Sequence, residues 1–253
     1  MNYLLYTQTI IIWNMFHFEK VISLGYNHYQ DSVTCLYFDF EYLICGSHDT
    51  QINIWKFNSN YIEKFEQPAV PFIESDILTF NKLIQHHKSA VMSLTYDGID
   101  SIISANSEGL ILIIDITNGD LLKELSFTNE IEPITCIRLV GSLILATTIK
   151  GKVLFWNRKE DNLETMIKVN NDYTVSVNSI AFIGNRFYTA GSDCLIKEWD
   201  LQTLTCLRQF VAHDGPVLDL IAVENKLISC GKDRAIIWDF NKQKPSPTKK
   251  KTL

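Results

Sequence analysis

The stretch that decides the fold is Ala190-Gly191-Ser192-Asp193-Cys194-Leu195-Ile196-Lys197-Glu198-Trp199-Asp200. Small residues close one apolar run, an acidic turn follows, and a second apolar run ends in Trp. Two β-prone runs joined by such a turn predict an antiparallel hairpin. A second copy of the pattern reads Gly46-Ser47-His48-Asp49-Thr50-Gln51-Ile52-Asn53-Ile54-Trp55.

The hairpin belongs to a unit that recurs along the chain. Before it comes a strand of the form apolar-x-x-apolar-x-apolar, which appears five times, beginning at Val33, Val91, Ile134, Val177 and Val217. The hairpins end at Trp13, Trp55, Ile114, Trp156, Trp199 and Trp238, at steps of 42, 59, 42, 43 and 39 residues. A period of about 40 to 45 residues, made of short strands without a helical pattern, is typical of four-stranded units arranged radially.

The two quoted stretches resemble the WD-repeat (β-transducin repeat) family. The resemblance covers residues 1–240 and implies an all-β fold, a WD-repeat β-propeller with repeats ending near residues 13, 55, 115, 156, 199 and 238. Six blade units are recognisable, and the first and the last are incomplete. Residues 3–24 supply only the last three strands of a blade, and residues 213–240 only the first three.

Two explanations of the incomplete blades stay open. The chain is either a partial product of a longer seven-bladed propeller or an imperfect six-unit ring with two exposed edges. Open strand edges invite pairing with other chains, which favours the first explanation.

The family resemblance also implies a hydrogen-bonded tetrad in each blade. Its members are a His before the first strand, a Ser or Thr in the second, an Asp in the next turn and the Trp of the third. The last repeat matches in full, with His213, Ser229, Asp233 and Trp238. Two repeats keep three members, namely Thr189, Asp193 and Trp199, and His28, Asp49 and Trp55 with Cys45 in the hydroxyl position.

The remaining repeats depart further from the tetrad. His87, Ser104 and Glu108 keep a related pattern without its Trp. In the repeat that ends at Trp156, Ala146 and Lys150 stand where a hydroxyl and an Asp are expected, so apolar packing alone should hold that blade.

In the resembling family, the loops before the first strand and between the second and third strands commonly dock peptides or protein partners. Those loops are therefore the candidate binding face. Tyr and Arg, two of the residue types found there, are enriched at interface hot spots. The candidate partner-binding residues are Tyr29, His48, Lys88, Asn106, Lys150, Tyr173 and Arg234.

Composition narrows the function classes. The net charge is -6, which disfavours a dedicated binder of nucleic acid or of an anionic membrane. The sequence has no apolar run of 18 residues and no signal-peptide pattern, so we expect a cytoplasmic location. Lys249 to Lys251 resemble a minimal nuclear-import cluster, which makes the nucleus an alternative.

Motifs that carry chemistry are missing from the sequence. We find no GxGxxG, Walker-type loop, HExxH or GxSxG, and the six cysteines stand apart without CxxC pairs. We therefore expect no enzyme activity, no cofactor, no metal and no small-molecule substrate. The hypothesis is a non-catalytic protein-interaction scaffold or adaptor, with a substrate-receptor or core subunit of a ubiquitin-ligase or RNA-processing complex as the alternative.

Two segments fall outside the repeat pattern. Residues 58–75 form an insertion in which Pro68 and Pro71 exclude a central strand, so it is either a surface loop or a partner-binding loop. Residues 241–253 carry five lysines, two prolines and no apolar residue until Leu253. This basic tail should be disordered and should not supply the missing outer strand.

Overall fold

The computed structural model describes residues 9–14, 19–24, 31–39, 41–58, 77–127, 131–158, 163–169 and 175–240. Those residues contain twenty-one β-strands. All pairings given between neighbouring strands are antiparallel, which follows from the short turns that join them.

The strands form six sheets, numbered I to VI in chain order. Sheet I contains β1 (Ile10–Asn14) and β2 (Glu19–Leu24). Sheet II contains β3 (Val33–Phe38), β4 (Tyr42–Ser47), β5 (Ile52–Phe57) and β6 (Leu78–Ile84). Sheet III contains β7 (Val91–Tyr96), β8 (Ser101–Asn106), β9 (Ile111–Asp115) and β10 (Leu121–Leu125).

The second half of the chain repeats this arrangement. Sheet IV contains β11 (Ile134–Val140), β12 (Leu143–Thr148), β13 (Lys152–Asn157) and β14 (Leu163–Lys168). Sheet V contains β15 (Val177–Ile183), β16 (Arg186–Gly191), β17 (Leu195–Asp200) and β18 (Cys206–Val211). Sheet VI contains β19 (Val217–Val223), β20 (Lys226–Gly231) and β21 (Ala235–Asp239).

The chain divides into two compact units. The first contains residues 1–149 and 153–166, and the second contains residues 150–152 and 167–253. Sheets I, II and III lie in the first unit, and sheets V and VI lie in the second.

Each unit has its core between stacked sheets. In the first unit, Ile44 and Ile54 of sheet II pack in one buried cluster with Leu94 and Ile102 of sheet III. In the second, Tyr188 of sheet V shares a cluster with sheet VI residues. All six residues of β8 are buried, on both faces of the sheet. A strand buried on both faces reads as a nearly continuous apolar run, which is why the repeats lack a clean in-out alternation.

Hydrogen bonds between the first strands of neighbouring sheets use two fixed repeat positions. At the second position, Thr34 Oγ1 donates to the Val91 carbonyl oxygen, and Asn178 Nδ2 donates to Val217 O at 2.7 Å. The third position accepts instead, and the distances are 2.9 and 3.1 Å for the bonds from Ile137 N to Ser93 Oγ and from Leu220 N to Ser179 Oγ. These bonds align neighbouring sheets within a unit.

The two end sheets are shorter than the others. Sheet VI has three strands, and the described residues contain no fourth strand next to β21. Sheet I has two, because residues 3–8, which were predicted to supply one more, lie outside the described residues. Residues 59–75 of the insertion and the tail 241–253 also lie outside them, so both predictions stay predictions.

The turns between second and third strands require a left-handed backbone at one residue. Gly109 and Gly151 occupy that position with φ of 93° and 76°. In sheets II and V, Thr50 and Cys194 adopt the same conformation, with φ of 74° and 64°. The left-handed region costs an L-residue roughly 1–2 kcal/mol, whereas glycine adopts it freely.

We expect Thr50→Gly and Cys194→Gly each to raise the free energy of unfolding by up to about 1 kcal/mol, since relief of strain exceeds the added chain entropy. Gly109→Ala should lower it, because a Cβ there would lie 2.7 Å from the Glu132 carbonyl oxygen. Urea denaturation of the three variants measures these changes. Destabilisation by both glycine variants would contradict the strain argument.

Candidate functional site

The structure brings the four tetrad residues of the last repeat together. Trp238 Nε1 donates to Ser229 Oγ at 2.9 Å, His213 Nε2 lies 2.9 Å from Ser229 Oγ, and His213 Nδ1 lies 2.8 Å from Asp233 Oδ1. A carboxylate only accepts, so Nδ1 carries the proton, and Nε2 accepts the Ser229 hydroxyl proton. The network therefore runs in one direction from the indole to the carboxylate.

Two further features belong to this network. A Cβ added to Gly231 would lie 2.5 Å from Asp233 Oδ1 and 2.8 Å from His213 Nδ1, so only glycine fits at this strand end. Burial alone would raise the pKa of Asp233, but the hydrogen bond from His213 outweighs it and holds that pKa below its usual value. Asp233 thus stays ionised at neutral pH.

Sheet V has no tetrad histidine, and a buried lysine takes its place. Trp199 Nε1 donates to Thr189 Oγ1 at 2.9 Å, as in the full network. Lys197 is only 5% exposed, and its Nζ lies 3.2 Å from Asp193 Oδ2 and 3.0 Å from Val169 O. Sequence reasoning missed Lys197. The signal was a lone cation in an apolar strand, four residues after an Asp that has no histidine partner.

Sheet III keeps only the inner part of the network. His87 is 4% exposed, and its Nε2 lies 2.8 Å from Ser104 Oγ. Among the described residues, His87 Nδ1 has no hydrogen-bond partner, and Glu108 is exposed. Burial, with a smaller contribution from His86, lowers the pKa of His87 to about 4. His87 is therefore neutral at physiological pH.

The other two repeats rely on packing around a buried Trp. In sheet II, Trp55 and Cys45 lie in one apolar cluster, Asp49 Oδ1 accepts the Gln51 N–H at 3.1 Å, and His28 lies outside the described residues. In sheet IV, Ala146 and Trp156 lie in an apolar cluster, in keeping with the expected packing.

Sequence comparison agrees with this repeat geometry. A profile of the family described as "WD domain, G-beta repeat" matches residues 19–56, which include β2 to β5 apart from the last residue of β5. Curated relatives carry the same repeats. The chain is a WD-repeat protein.

Three relatives show how far the similarity of this WD-repeat protein extends. It is 22% identical to mitochondrial division protein 1 of Schizosaccharomyces pombe over 88% of the chain, and it spans 30% of that protein's length. It is 25% identical to eukaryotic translation initiation factor 3 subunit I of Drosophila virilis, over 84% of the chain and 66% of the relative. WD repeat-containing protein 91 of Mus musculus is 29% identical over 37% of the chain and 13% of its own length.

Solved structures show the same fold. A chain in the structure of the mitotic checkpoint complex superposes with a TM-score of 0.72 at 16% identity, covering 92% of this chain and 69% of that one. The computationally designed Ika8 protein gives 0.69 at 19% identity, covering 93% and 66%. The predicted fold class, an all-β propeller, is confirmed.

The candidate partner-binding residues fall into three groups. His48, Lys88 and Arg234 are exposed at loop ends, and Lys150 is half-buried. Asn106 is buried, and its Oδ1 accepts the N–H groups of Glu108 and Leu110 at 3.0 and 2.9 Å. Asn106 is therefore a turn-forming residue and not a surface contact. Tyr29 and Tyr173 lie outside the described residues.

The two exposed groups with carboxylate neighbours are weakly tied. His48 Nδ1 lies 3.1 Å from Asp31 Oδ2, and both side chains are exposed. Arg234 Nε lies 3.4 Å from Asp233 Oδ2, the oxygen that the tetrad bond to His213 does not use. Exposed pairs of this kind contribute only about 0–1 kcal/mol, so these cations remain available to a partner.

Metal and membrane features were also examined. Within the described ranges, no group of three His, Cys, Asp or Glu side chains is placed to hold a metal ion. All six cysteines lie in those ranges, and none forms a disulfide. No described helix has the length and apolar character needed to cross a membrane.

We expect Trp199→Phe to be more destabilising than Trp156→Phe, by about 1 kcal/mol. Both variants keep a buried ring, but only the first removes the N–H that Thr189 accepts, since Ala146 has no hydroxyl at the matching position. Urea midpoints of the two variants measure the difference. Equal midpoints would contradict a stabilising role for the Trp199 bond.

The low pKa of His87 predicts a pH-dependent stability. The unfolded state binds its proton near pH 6.5 and the folded state near 4, so this stability is complete above about pH 6.5 and is lost as the pH falls towards 4. The loss amounts to up to about 3 kcal/mol. His87→Gln should flatten this part of the profile, measured as urea midpoints at pH 7 and 4.5. An unchanged slope would disprove the assignment.

Proposed function

We propose that this WD-repeat protein is a non-catalytic interaction scaffold or adaptor. Its loops before the first strand and between the second and third strands would bind protein or peptide partners. One observation carries the proposal: exposed charges at these loop ends, such as Lys88 and Arg234, stand on sheets whose interior polar groups are held in networks. Rigid elements that present variable loops are the usual architecture of a binding surface.

The family context supports this function in general terms. WD40 propellers typically bind protein partners, and the family is generally non-catalytic. The finer proposal, that the partners exclude nucleic acid, membranes and small-molecule substrates, rests on the net charge of -6 and on the missing motifs.

Shifted pKa values mark structural groups in this protein. Glu198 is buried between Arg186 and Arg208; burial favours its neutral form, but Arg208 and then Arg186 hold its pKa below the usual value. Asp97 lies 2.9 Å from Arg158 and accepts three backbone N–H groups. Catalytic groups usually need an accessible cleft in addition to a shifted pKa. These groups have protein partners instead, which supports a binding role.

The names of similar proteins favour one kind of scaffold. One relative is a translation initiation factor subunit, and one structural neighbour is part of the mitotic checkpoint complex. We therefore propose a subunit of a larger assembly, located in the cytoplasm or the nucleus. A core subunit of an RNA-processing complex is the second candidate, because the match to the initiation factor subunit covers most of this chain. A ubiquitin-ligase receptor remains the less supported form of that alternative.

The proposal predicts that charge reversal at the loop ends weakens partner capture. Lys88→Glu and Arg234→Glu should each reduce recovery of specific partners several-fold in affinity purification with mass spectrometry, while the thermal unfolding temperature stays unchanged.

Lys226→Glu is the matched control. Lys226 is an exposed cation at the turn between β19 and β20, the other end of the same strands, so its reversal should leave partner recovery unchanged. Equal recovery with all three variants would reject the proposed binding face. Recovery of ribosomal or other RNA-bound complexes that is lost after nuclease treatment would favour the second candidate.

A further inference from the structure

Sheet VI ends in a strand with an open edge. In the described part of the chain, β21 pairs with β20 on one side only, whereas the third strands β5, β9 and β17 are each followed by a fourth strand. The Ile237 side chain in the middle of β21 is 66% exposed. An unpaired strand edge presents a row of N–H and C=O groups that can template another strand.

The hairpin register shows which amides point outward. Gly231 N donates to Arg234 O at 3.0 Å, and Cys230 lies opposite Ala235. Bonded and non-bonded pairs alternate in an antiparallel ladder, so Ile236 and Trp238 bond to β20. The N–H groups of Ala235 and Ile237 therefore point away from β20, towards the open edge.

The fourth strands of sheets II, III and V show what this edge is built to accept. Each begins with a residue opposite the Trp position, continues with a basic residue two places later, and has an apolar residue four places later. Each also carries a bulge beside its first residue. The three segments are Phe80-x-Lys82-x-Ile84, Leu121-x-Lys123-x-Leu125 and Cys206-x-Arg208-x-Phe210.

The basic residue in this pattern has a separate task. Lys82 Nζ donates to Thr117 O at 2.6 Å, Lys123 Nζ donates to Arg158 O at 3.4 Å, and the Arg208 guanidinium lies 5.3 Å from the centre of the Phe240 ring. In each case it reaches the residues that follow the third strand of the next sheet. No described sheet follows sheet VI, so a strand at β21 needs the two apolar residues and its backbone, but not the basic side chain.

The segment directly after β21 does not fit these requirements. Residues 241–247 read Asn-Lys-Gln-Lys-Pro-Ser-Pro and contain no pair of apolar residues four places apart. We propose that the open edge of β21 binds an extended segment of a partner protein, with apolar residues at positions i and i+4, as the fourth strand of sheet VI. This surface is distinct from the loop face, so either proposal can fail alone.

A peptide taken from the chain's own fourth strand tests the proposal. The probe is a fluorescent peptide of residues 205–212 with Cys206→Leu, which places Leu opposite Trp238 and Phe210 opposite Ala235. Its anisotropy is measured with the full chain and with the variants Ile237→Val and Ile237→Pro. Proline removes an outward N–H without touching the β20 ladder, and valine keeps it.

We expect the wild type and Ile237→Val to bind the peptide alike, and Ile237→Pro to bind at least about tenfold more weakly. On the peptide, Arg208→Ala should be tolerated, whereas Arg208→Pro, which removes the N–H facing Ile237, should abolish binding. The peptide pair keeps the test decisive if Ile237→Pro does not fold. Lys88→Glu should bind the peptide like the wild type, which separates this edge from the loop face.

Three outcomes would overturn the proposal. They are no peptide binding to the wild type, equal binding by Ile237→Pro or by the Arg208→Pro peptide, and a dimer in sedimentation that the peptide does not dissociate. The last result would assign the edge to a second copy of the chain.

Discussion

A sheet that is apolar on both faces cannot be stable alone in water, and the rest of this structure depends on that constraint. In β8 every residue is buried, and β4 and β12 bury five of six. Each sheet is therefore stable only when a neighbour covers each face, as in repeat proteins generally. Apolar packing is not directional, so the bonds from Thr34 and to Ser93, and from Asn178 and to Ser179, set the alignment of neighbouring sheets.

Inside each sheet the polar groups beneath the Trp vary as a set. An unpaired buried polar group costs roughly 1–3 kcal/mol, so loss of one member favours replacement or removal of its partners. Sheet V lacks the histidine, and Lys197 supplies a cation to Asp193. Sheet IV has Ala146 in place of the hydroxyl and Lys150 in place of the carboxylate, and apolar packing remains. Sheet III keeps His87 and Ser104, and its histidine stays neutral because burial lowers its pKa.

The sequence predicted features that repeat and missed features that depend on a neighbour across the sheet. The Trp ending each hairpin and the five first strands marked the sheets correctly, because a period near 42 residues is visible without any contact information. Lys197 and Glu198 resemble surface charges in the sequence, yet both are buried, since Asp193 and the two arginines around Glu198 lie elsewhere in the fold. Asn106 resembled a binding residue because its loop position was known while the direction of its side chain was not.

The same networks determine which loop residues are free to become partner contacts. Asp233 uses one carboxylate oxygen for His213 and the other for Arg234, so it belongs to the core and to the surface at once. Changing Asp233 would leave the protonated Nδ1 of a buried histidine without its acceptor, whereas Arg234 leaves only an exposed pair behind. Asn106 is constrained in the same way by two backbone N–H groups, while Lys88 is not. Binding specificity can therefore change at Lys88 and Arg234 without cost to the fold, and their close neighbours must stay as they are.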